Sequence, residues 1–335
     1  MHRVGLFLFL LSTILFSAQR PGAVFLMIWP GARPTALSGA YTAVVEDATA
    51  CYYNQAGLGF IDETTATLQH ANWLPGLHDD MYYEYLGIAK PFKKGTFGLS
   101  IIYLTTGKTQ VTNSEGTYLG EYTTFDIAVG LNYGFTLTSK LGLGLGWKVI
   151  YSYLVPDWVF TKMPELGIEQ GGTGLTYAFD TGILYKPFEF LSLAAVLQNI
   201  GPNISYSESG SSDPLPYTFR AGFQFSPVNS KIFRVSLTAD VTKILVGMFA
   251  QEENSFFENL SYELEEAWKA VGLEIEYYKF IKLSGGYFID TEGERKGLTF
   301  GGGVRAGGFS LDVGVDQAIY DFNTTNRKFS LSYQF

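Results

Sequence analysis

An antiparallel, up-and-down β-barrel of about fourteen strands that crosses a membrane, all-β in class and carrying its N-terminal segment inside as a plug, is the fold this sequence predicts. Three observations carry that expectation. Charged residues make up only 16% of the chain and aromatics another 16%, whereas soluble domains carry about 25% charged residues, so something other than water covers part of the surface. After the N-terminus no run of about 18 apolar residues is available to span as a helix, and mean hydropathy is only +0.10. From about residue 95 onward, apolar residues alternate with small or polar ones, the period of a strand with two unlike faces.

The first element, residues 1–18, reads as a secretory signal. His2 and Arg3 precede an apolar run from Leu6 to Phe16, and Ser17 and Ala18 follow as small residues. A lipid-anchored N-terminus is excluded because the lone cysteine, Cys51, lies far beyond that run. Residues 19–61 do not alternate and are dense in small side chains. About eight strands can be packed shut by side chains, but a barrel of about fourteen leaves space inside, and this segment is the material to fill it.

The barrel is expected over residues 62–335. Its first strands lie near Thr64–Trp73 and Tyr82–Phe92. The clearest alternation has Phe125, Ile127, Val129, Leu131, Tyr133 and Phe135 on one face, with Asp126, Ala128, Gly130, Asn132 and Gly134 on the other. Leu141, Leu143, Leu145, Trp147, Val149 and Tyr151 repeat it against Gly142, Gly144, Gly146, Lys148 and Ser152. Tyr217, Phe219, Ala221, Phe223 and Phe225 do so again, as do Phe309, Leu311, Val313 and Val315. The polar face is mostly Gly, Ser, Thr and isolated charges, with few of the long solvated side chains that a water-facing sheet prefers. That assigns the large apolar face to lipid and the other to a polar lumen.

Connections alternate in length, as they do in outer-membrane barrels. Short turns are expected near Pro91–Gly95, Thr136–Ser139, Pro187–Glu189, Ser226–Ser230, Lys279–Phe280 and Ala306–Gly308. Longer joins are expected near Trp73–Asp80, Thr105–Glu121, Leu154–Gly172, Ile200–Pro216, Lys243–Ala267, Thr291–Lys296 and Gln317–Asn326. The last strand ends on Tyr333 and Phe335, alternating with Ser332 and Gln334, and a terminal aromatic of this kind suits recognition by the barrel-assembly machinery.

Chemistry is sparse. A net charge of −9 with no basic stripe argues against a nucleic-acid partner. Beyond the signal only His70 and His78 are available to a serine nucleophile, neither in a recognisable motif, and no zinc spacing occurs. The acids near Asn113–Glu121 and Glu252–Glu266 read as solvated loop charge. Gly142, Gly144 and Gly146 lie at period two within a strand, which is packing and not a phosphate loop. An enzyme is not expected, nor a cofactor. Inward charges of both signs, Asp126, Lys148, Asp180, Arg220, Arg234, Asp240, Glu274, Glu276 and Asp312, suit a hydrated or filled lumen. The join Lys243–Ala267 is unusually apolar, with Leu245, Met248, Phe249, Phe256 and Phe257, and is a candidate surface for a partner or hydrophobic ligand.

The segment 19–61 also carries a motif. Gly31, Ala32 and Arg33 are followed by Ala36 to Val44, by Glu46 to Ala50, and by Tyr53, Asn54, Gln55, Ala56, Gly57 and Leu58. This run resembles the N-terminal signature of the PorV/PorQ family, itself similar to FadL-type long-chain fatty-acid transporters. It departs from the family's Asn-Pro-Ala-Gly at Gln55, which stands where proline is usual. The resemblance implies an outer-membrane protein of a diderm bacterium. Its hatch would be marked by Gly31, Arg33, Gly39, Asp47, Asn54 and Gly57. It implies a shuttle role in type IX secretion, with secreted cargo and the translocon as partners beside outer-membrane lipid. The FadL side implies passive uptake of hydrophobic small molecules instead. Arg33, Glu46 and Asp47 are expected to pair with one another or with lumen charges, since partly buried charges need partners.

Overall fold

In a computed structural model, the described residues are 20–167, 170–207, 212–248, 256–291, 293, 295–317 and 324–335; the signal lies outside them. Fourteen antiparallel strands form a closed barrel, each paired with its neighbours in the chain. They are β1 (Thr65–Asn72), β2 (Tyr82–Phe92), β3 (Gly95–Thr112), β4 (Tyr118–Thr138), β5 (Leu141–Tyr153), β6 (Thr173–Phe188) and β7 (Leu191–Ile200). The second half comprises β8 (Thr218–Asn229), β9 (Phe233–Ile244), β10 (Trp268–Tyr277), β11 (Ile281–Asp290), β12 (Arg295–Ala306), β13 (Phe309–Asp316) and β14 (Asn326–Gln334). Closure is made by β1 against β14, from Thr65↔Gln334 to Asn72↔Arg327. No helix among the described residues is long and apolar enough to cross a membrane.

The expected faces hold. Along β6, Gly174, Thr176, Ala178, Asp180, Gly182 and Leu184 are buried, while the intervening Leu175, Tyr177, Phe179 and Ile183 are exposed. Leu145, Leu175, Leu283 and Leu298 are each at least 60% exposed, a surface that only hydrocarbon covers without cost. Tyr217 is a correction: it precedes β8 and is buried, donating its hydroxyl to the Gly201 carbonyl at 2.8 Å. At one end, here the turn end, the connections are tight. Gly307 and Gly308, at φ of 57° and 83°, make the two-residue turn from β12 to β13, a backbone that glycine adopts without strain. Aromatics ring this end in pairs such as Phe97–Tyr133, Phe188–Phe190 and Phe309–Tyr333, with centroids 4.8, 5.1 and 4.4 Å apart, as an interfacial girdle does.

The opposite, loop end departs from expectation at one place. The join expected over Thr105–Glu121 is mostly ladder, and pairing continues to Thr112↔Tyr118. Gly107, at φ 82°, absorbs the register shift that follows Thr105. Beyond the membrane both faces of a hairpin meet water, so Lys108 to Thr112 carry no apolar alternation to read. The hairpin tip rests on a helix in the β5–β6 connection, α3 (Asp157–Lys162). Trp158 packs edge-on to Tyr122 at 6.1 Å, and Lys162 donates to the Leu119 carbonyl at 2.7 Å.

Residues 20–61 lie inside the barrel as short helical pieces: a 3-10 turn (Val24–Met27), α1 (Ala32–Ala36), α2 (Ala50–Tyr53) and a second 3-10 turn (Gln55–Phe60). Ala32, Leu37, Ala40, Tyr41, Tyr53 and Leu58 are wholly buried. The glycine row of β5 now has its reason. A Cβ on Gly144 would stand 2.1 Å from the Gln55 carbonyl carbon, and one on Gly314 would stand 2.2 Å from the Ala32 oxygen, so the absent side chains make room for the segment's backbone. Gly144→Val should therefore leave the strand pairing intact but displace the segment, at a cost of about 2–3 kcal/mol. The check is limited proteolysis of the folded barrel, in which cleavage between residues 20 and 61 appears in the variant and not in the parent.

Candidate functional site

Inside a bilayer-depth lumen, irregular backbone needs partners that the barrel must supply. At the start of α1 the Gly31 amide donates to Gln69 Oε1 at 2.8 Å and the Ala32 amide to Ser330 Oγ at 2.8 Å, so side chains from β1 and β14 satisfy helix N–H groups that have no intrahelical acceptor. Asp240 of β9 accepts through one carboxylate oxygen from the amides of Tyr41 and Thr42, at 3.0 and 2.9 Å, and from the Thr42 hydroxyl at 2.5 Å. Thr299 of β12 donates to the Ala36 carbonyl at 2.9 Å, and Gln198 of β7 to that of Tyr52 at 2.5 Å. Lys328 of β14 donates to the Trp29 carbonyl.

Arg33 is the electrostatic centre. It grips Glu274 of β10 through Nε–Oε2 at 2.8 Å and Nη2–Oε1 at 2.7 Å, and also reaches the Tyr41 hydroxyl at 3.0 Å and Glu46 at 3.2 Å. Glu46 pairs in turn with Arg234 of β9 at 2.9 Å. Burial alone would raise the Glu46 carboxyl, but Arg33 and Arg234 hold it well below the usual range. The paired geometry and the added hydrogen bond that Arg33 donates to the Tyr41 hydroxyl oxygen are what make a buried arginine tolerable.

Asp47 is not in this network. It accepts from the Thr49 amide at 2.8 Å and from the Thr49 hydroxyl, holding the approach to α2. Asn54 caps the second 3-10 turn by accepting from the Ala56 amide at 3.0 Å, and its Nδ2 donates to the Thr42 and Ile183 carbonyls at 3.0 and 3.2 Å. Gln55, standing where the family has proline, is the first residue of that turn, a position where proline's missing N–H costs nothing. The turn is kept by its Asn54 cap, and Gln55 adds a bond to Asp180 of β6 at 3.3 Å. Gly39, at φ 77°, lies against the Trp29 ring, and a Cβ on Gly57 would stand 2.1 Å from Val45 Cγ2.

The segment separates cavities at the two ends. On the loop side about 250 Å³ is lined by Phe25, Trp29, Trp73 and Trp268, with Arg295 and Lys328. The Arg295 guanidinium lies over the rings of Phe288, Trp29 and Trp268, at 5.0, 5.8 and 6.0 Å. On the turn side about 700 Å³ lies between Val44–Glu46 and the residues Lys140, Lys186, Gln224 and Arg234. None of the three tryptophans, nor Arg295 or Lys328, was singled out from the sequence. The available signal was that three of the chain's five tryptophans stand near the N-terminus or at strand ends facing the loops.

The apolar join is partly structural. Leu245 and Met248 are half-buried, and the Leu245 amide donates to the Tyr217 carbonyl at 2.7 Å. It also contains α4 (Phe256–Glu266), tied to β9 by Lys243, whose Nζ lies 2.5 Å from Glu263 and 3.5 Å from Glu266. Phe257 is 78% exposed, while Phe249 and the Phe256 side chain lie outside what is described. Tyr333 and Phe335 pack edge to face at 4.6 Å on the girdle, with Phe335 at 70% exposure. His70 points outward, 2.6 Å from Glu84, and His78 sits in the β1–β2 connection. Among the described residues no three His, Cys, Asp or Glu are grouped to hold a metal.

A closed fourteen-stranded antiparallel barrel with its own N-terminal segment pinned in the lumen is also the fold of several solved transporters. The chain is similar in fold to the toluene transporter TodX of Pseudomonas putida, at 12% identity over 96% of this chain and 99% of that one, with a TM-score of 0.56. It is similar also to the toluene transporter TbuX of Ralstonia pickettii, at 14% identity over 90% and 98% with a TM-score of 0.55. A FadL homologue of Pseudomonas aeruginosa aligns at 12% identity over 91% and 98%, with a TM-score of 0.51. No curated protein matches the sequence. The family model described as type IX secretion system protein PorV matches residues 18–251, and the chain belongs to that family.

Cys51, buried in α2, offers a way to test the pinning. Burial, with a contribution from Asp47, pushes its thiol up to about 12, so the folded protein should resist maleimide at mildly alkaline pH. Glu274→Gln strips Arg33 of its main partner, a loss of about 3–5 kcal/mol for a broken buried pair. It should make Cys51 label many-fold faster; equal labelling would mean that the pair does not hold the segment.

Proposed function

We propose that this chain is an outer-membrane accessory of type IX secretion that receives secreted proteins at its loop end and is not itself their conduit. In this reading the loop end faces the cell exterior and the turn end the periplasm of a diderm bacterium. Membership of the PorV family supports the secretion role. The observation that carries the finer reading is the filled lumen: the segment is bonded to β1, β6, β7, β9, β10, β12 and β14, which leaves the loops as the working surface. There Phe257, Tyr262 and Leu264 of α4 put apolar area on the β9–β10 connection at 78%, 40% and 57% exposure, more than a loop facing only water needs. The translocon and cargo are the partners this implies. Phe335, exposed beyond β14, is assigned in this reading to the barrel-assembly machinery, and the reading includes no catalytic role.

A second reading, passive entry of a hydrophobic small molecule, draws on the aromatic cavity around Trp29, Trp73 and Trp268. Neighbours described as toluene transporters fit it as well. Mass spectrometry of what co-purifies with the barrel after gentle extraction separates the two. Under the shuttle reading, secreted proteins sharing one C-terminal domain are recovered, and Phe257→Ser with Leu264→Ser cuts that recovery at least about fivefold, the effect of losing two apolar interface anchors. A stoichiometric apolar molecule without such proteins would overturn it in favour of uptake.

A further inference from the structure

The lipid-facing wall of β2–β7 carries a trough. Two ladders of outward residues cross it side by side, each stepping from strand to paired strand. One runs Lys90, Phe97, Tyr133, Leu145, Thr181 and Leu197; the other runs Ile88, Leu99, Leu131, Trp147, Phe179 and Ile200. Between them the lumen-facing row is Gly98, Asn132, Gly146 and Asp180, so the floor is backbone and the flanks are large apolar side chains. The trough is open along its length and holds about 790 Å³, within the range of about 300–1,000 Å³ found for small-molecule sites. Because paired rows slant across a tilted barrel wall, the trough opens near the turn end, at Lys90, and finishes at Ile200, the last residue of β7 before the loops.

Charge is distributed unevenly around its turn-end opening. Lys90 stands there, its Nζ 5.7 Å from the Phe92 ring centroid. Lys93 and Lys94 fill the next turn and are exposed, whereas Lys140 and Lys186 line the cavity inside the barrel and take no part in this opening. Asp62 and Glu63, which precede β1, line instead a polar cavity with Lys282 and Arg305. A cationic fringe of this kind in a chain of net charge −9 is not what composition supplies on average.

We propose that this trough binds an anionic glycerophospholipid of the leaflet at the turn end, with an acyl chain along the trough and the phosphate against Lys90, Lys93 and Lys94. A zwitterionic lipid fills the same trough but brings no net charge, and each lysine near the membrane surface favours an anionic lipid by about fivefold. The inference rests on the membrane-spanning fold and is indifferent to what the loops receive.

Trp147 lines the trough and faces lipid, so it reports the occupant. The full chain is reconstituted in phosphatidylcholine vesicles containing a minority of phosphatidylglycerol with brominated acyl chains, and the Trp147 signal is taken as the difference from Trp147→Phe. Quenching should exceed that from the same share of brominated phosphatidylcholine several-fold. Raised salt should lower the excess, and so should the triple variant Lys90→Gln, Lys93→Gln, Lys94→Gln, by at least about fivefold. Equal quenching by the two lipids overturns the site. So does an excess that neither salt nor the triple variant reduces, the salt result standing alone if that variant fails to fold.

Discussion

A polypeptide without regular structure cannot lie at bilayer depth unless each of its amides and carbonyls finds a partner, and in this barrel that requirement shapes nearly everything inside the wall. The lumen of fourteen strands is too wide for side chains to close. What fills it is backbone, and backbone brings polar groups. Asp240, Gln69, Ser330, Gln198 and Thr299 are the wall's answer, each aimed at a main-chain group of the segment. The glycines of β5 and β13 follow from the same demand, because main chain reaches main chain only where no side chain intervenes.

The charges then fall into place. Arg33 is buried at 6% exposure, and an unpartnered guanidinium there would be costly. Glu274 supplies a two-pronged grip, and Glu46 links Arg33 to Arg234, so three elements of the chain share one alternating cluster. The outer surface answers a different solvent. Its leucines and phenylalanines would be a liability in water and are the stabilising surface in lipid.

The barrel was legible in the sequence because a wall between lipid and a polar interior imposes a period of two on every strand. The short turns, the even strand number and the closing strand at Phe335 came with it. The β3–β4 hairpin was not legible beyond Thr105, because outside the membrane both of its faces are polar and no period remains. In the segment, composition showed small residues and a motif but not their partners. Arg33 could be expected to pair, yet Glu274 lies 241 residues away, and nothing in a single sequence links the two. The tryptophan-lined cavity was missed for the same reason, since Trp29, Trp73 and Trp268 are brought together by closure of the barrel alone.

One of these contacts bears on the order in which the molecule is assembled. The Ala32 amide is satisfied by Ser330, 298 residues further along the chain, and Lys328 holds the Trp29 carbonyl from the same strand. Contacts of such separation form late, after the entropy of the intervening loop has been overcome. Two main-chain groups of the segment that is synthesised first, the Ala32 amide and the Trp29 carbonyl, thus await the strand that is synthesised last. Sealing of the pore is in this way coupled to completion of the wall, so that a chain truncated before β14 lacks both the closing strand and the anchors of its own stopper.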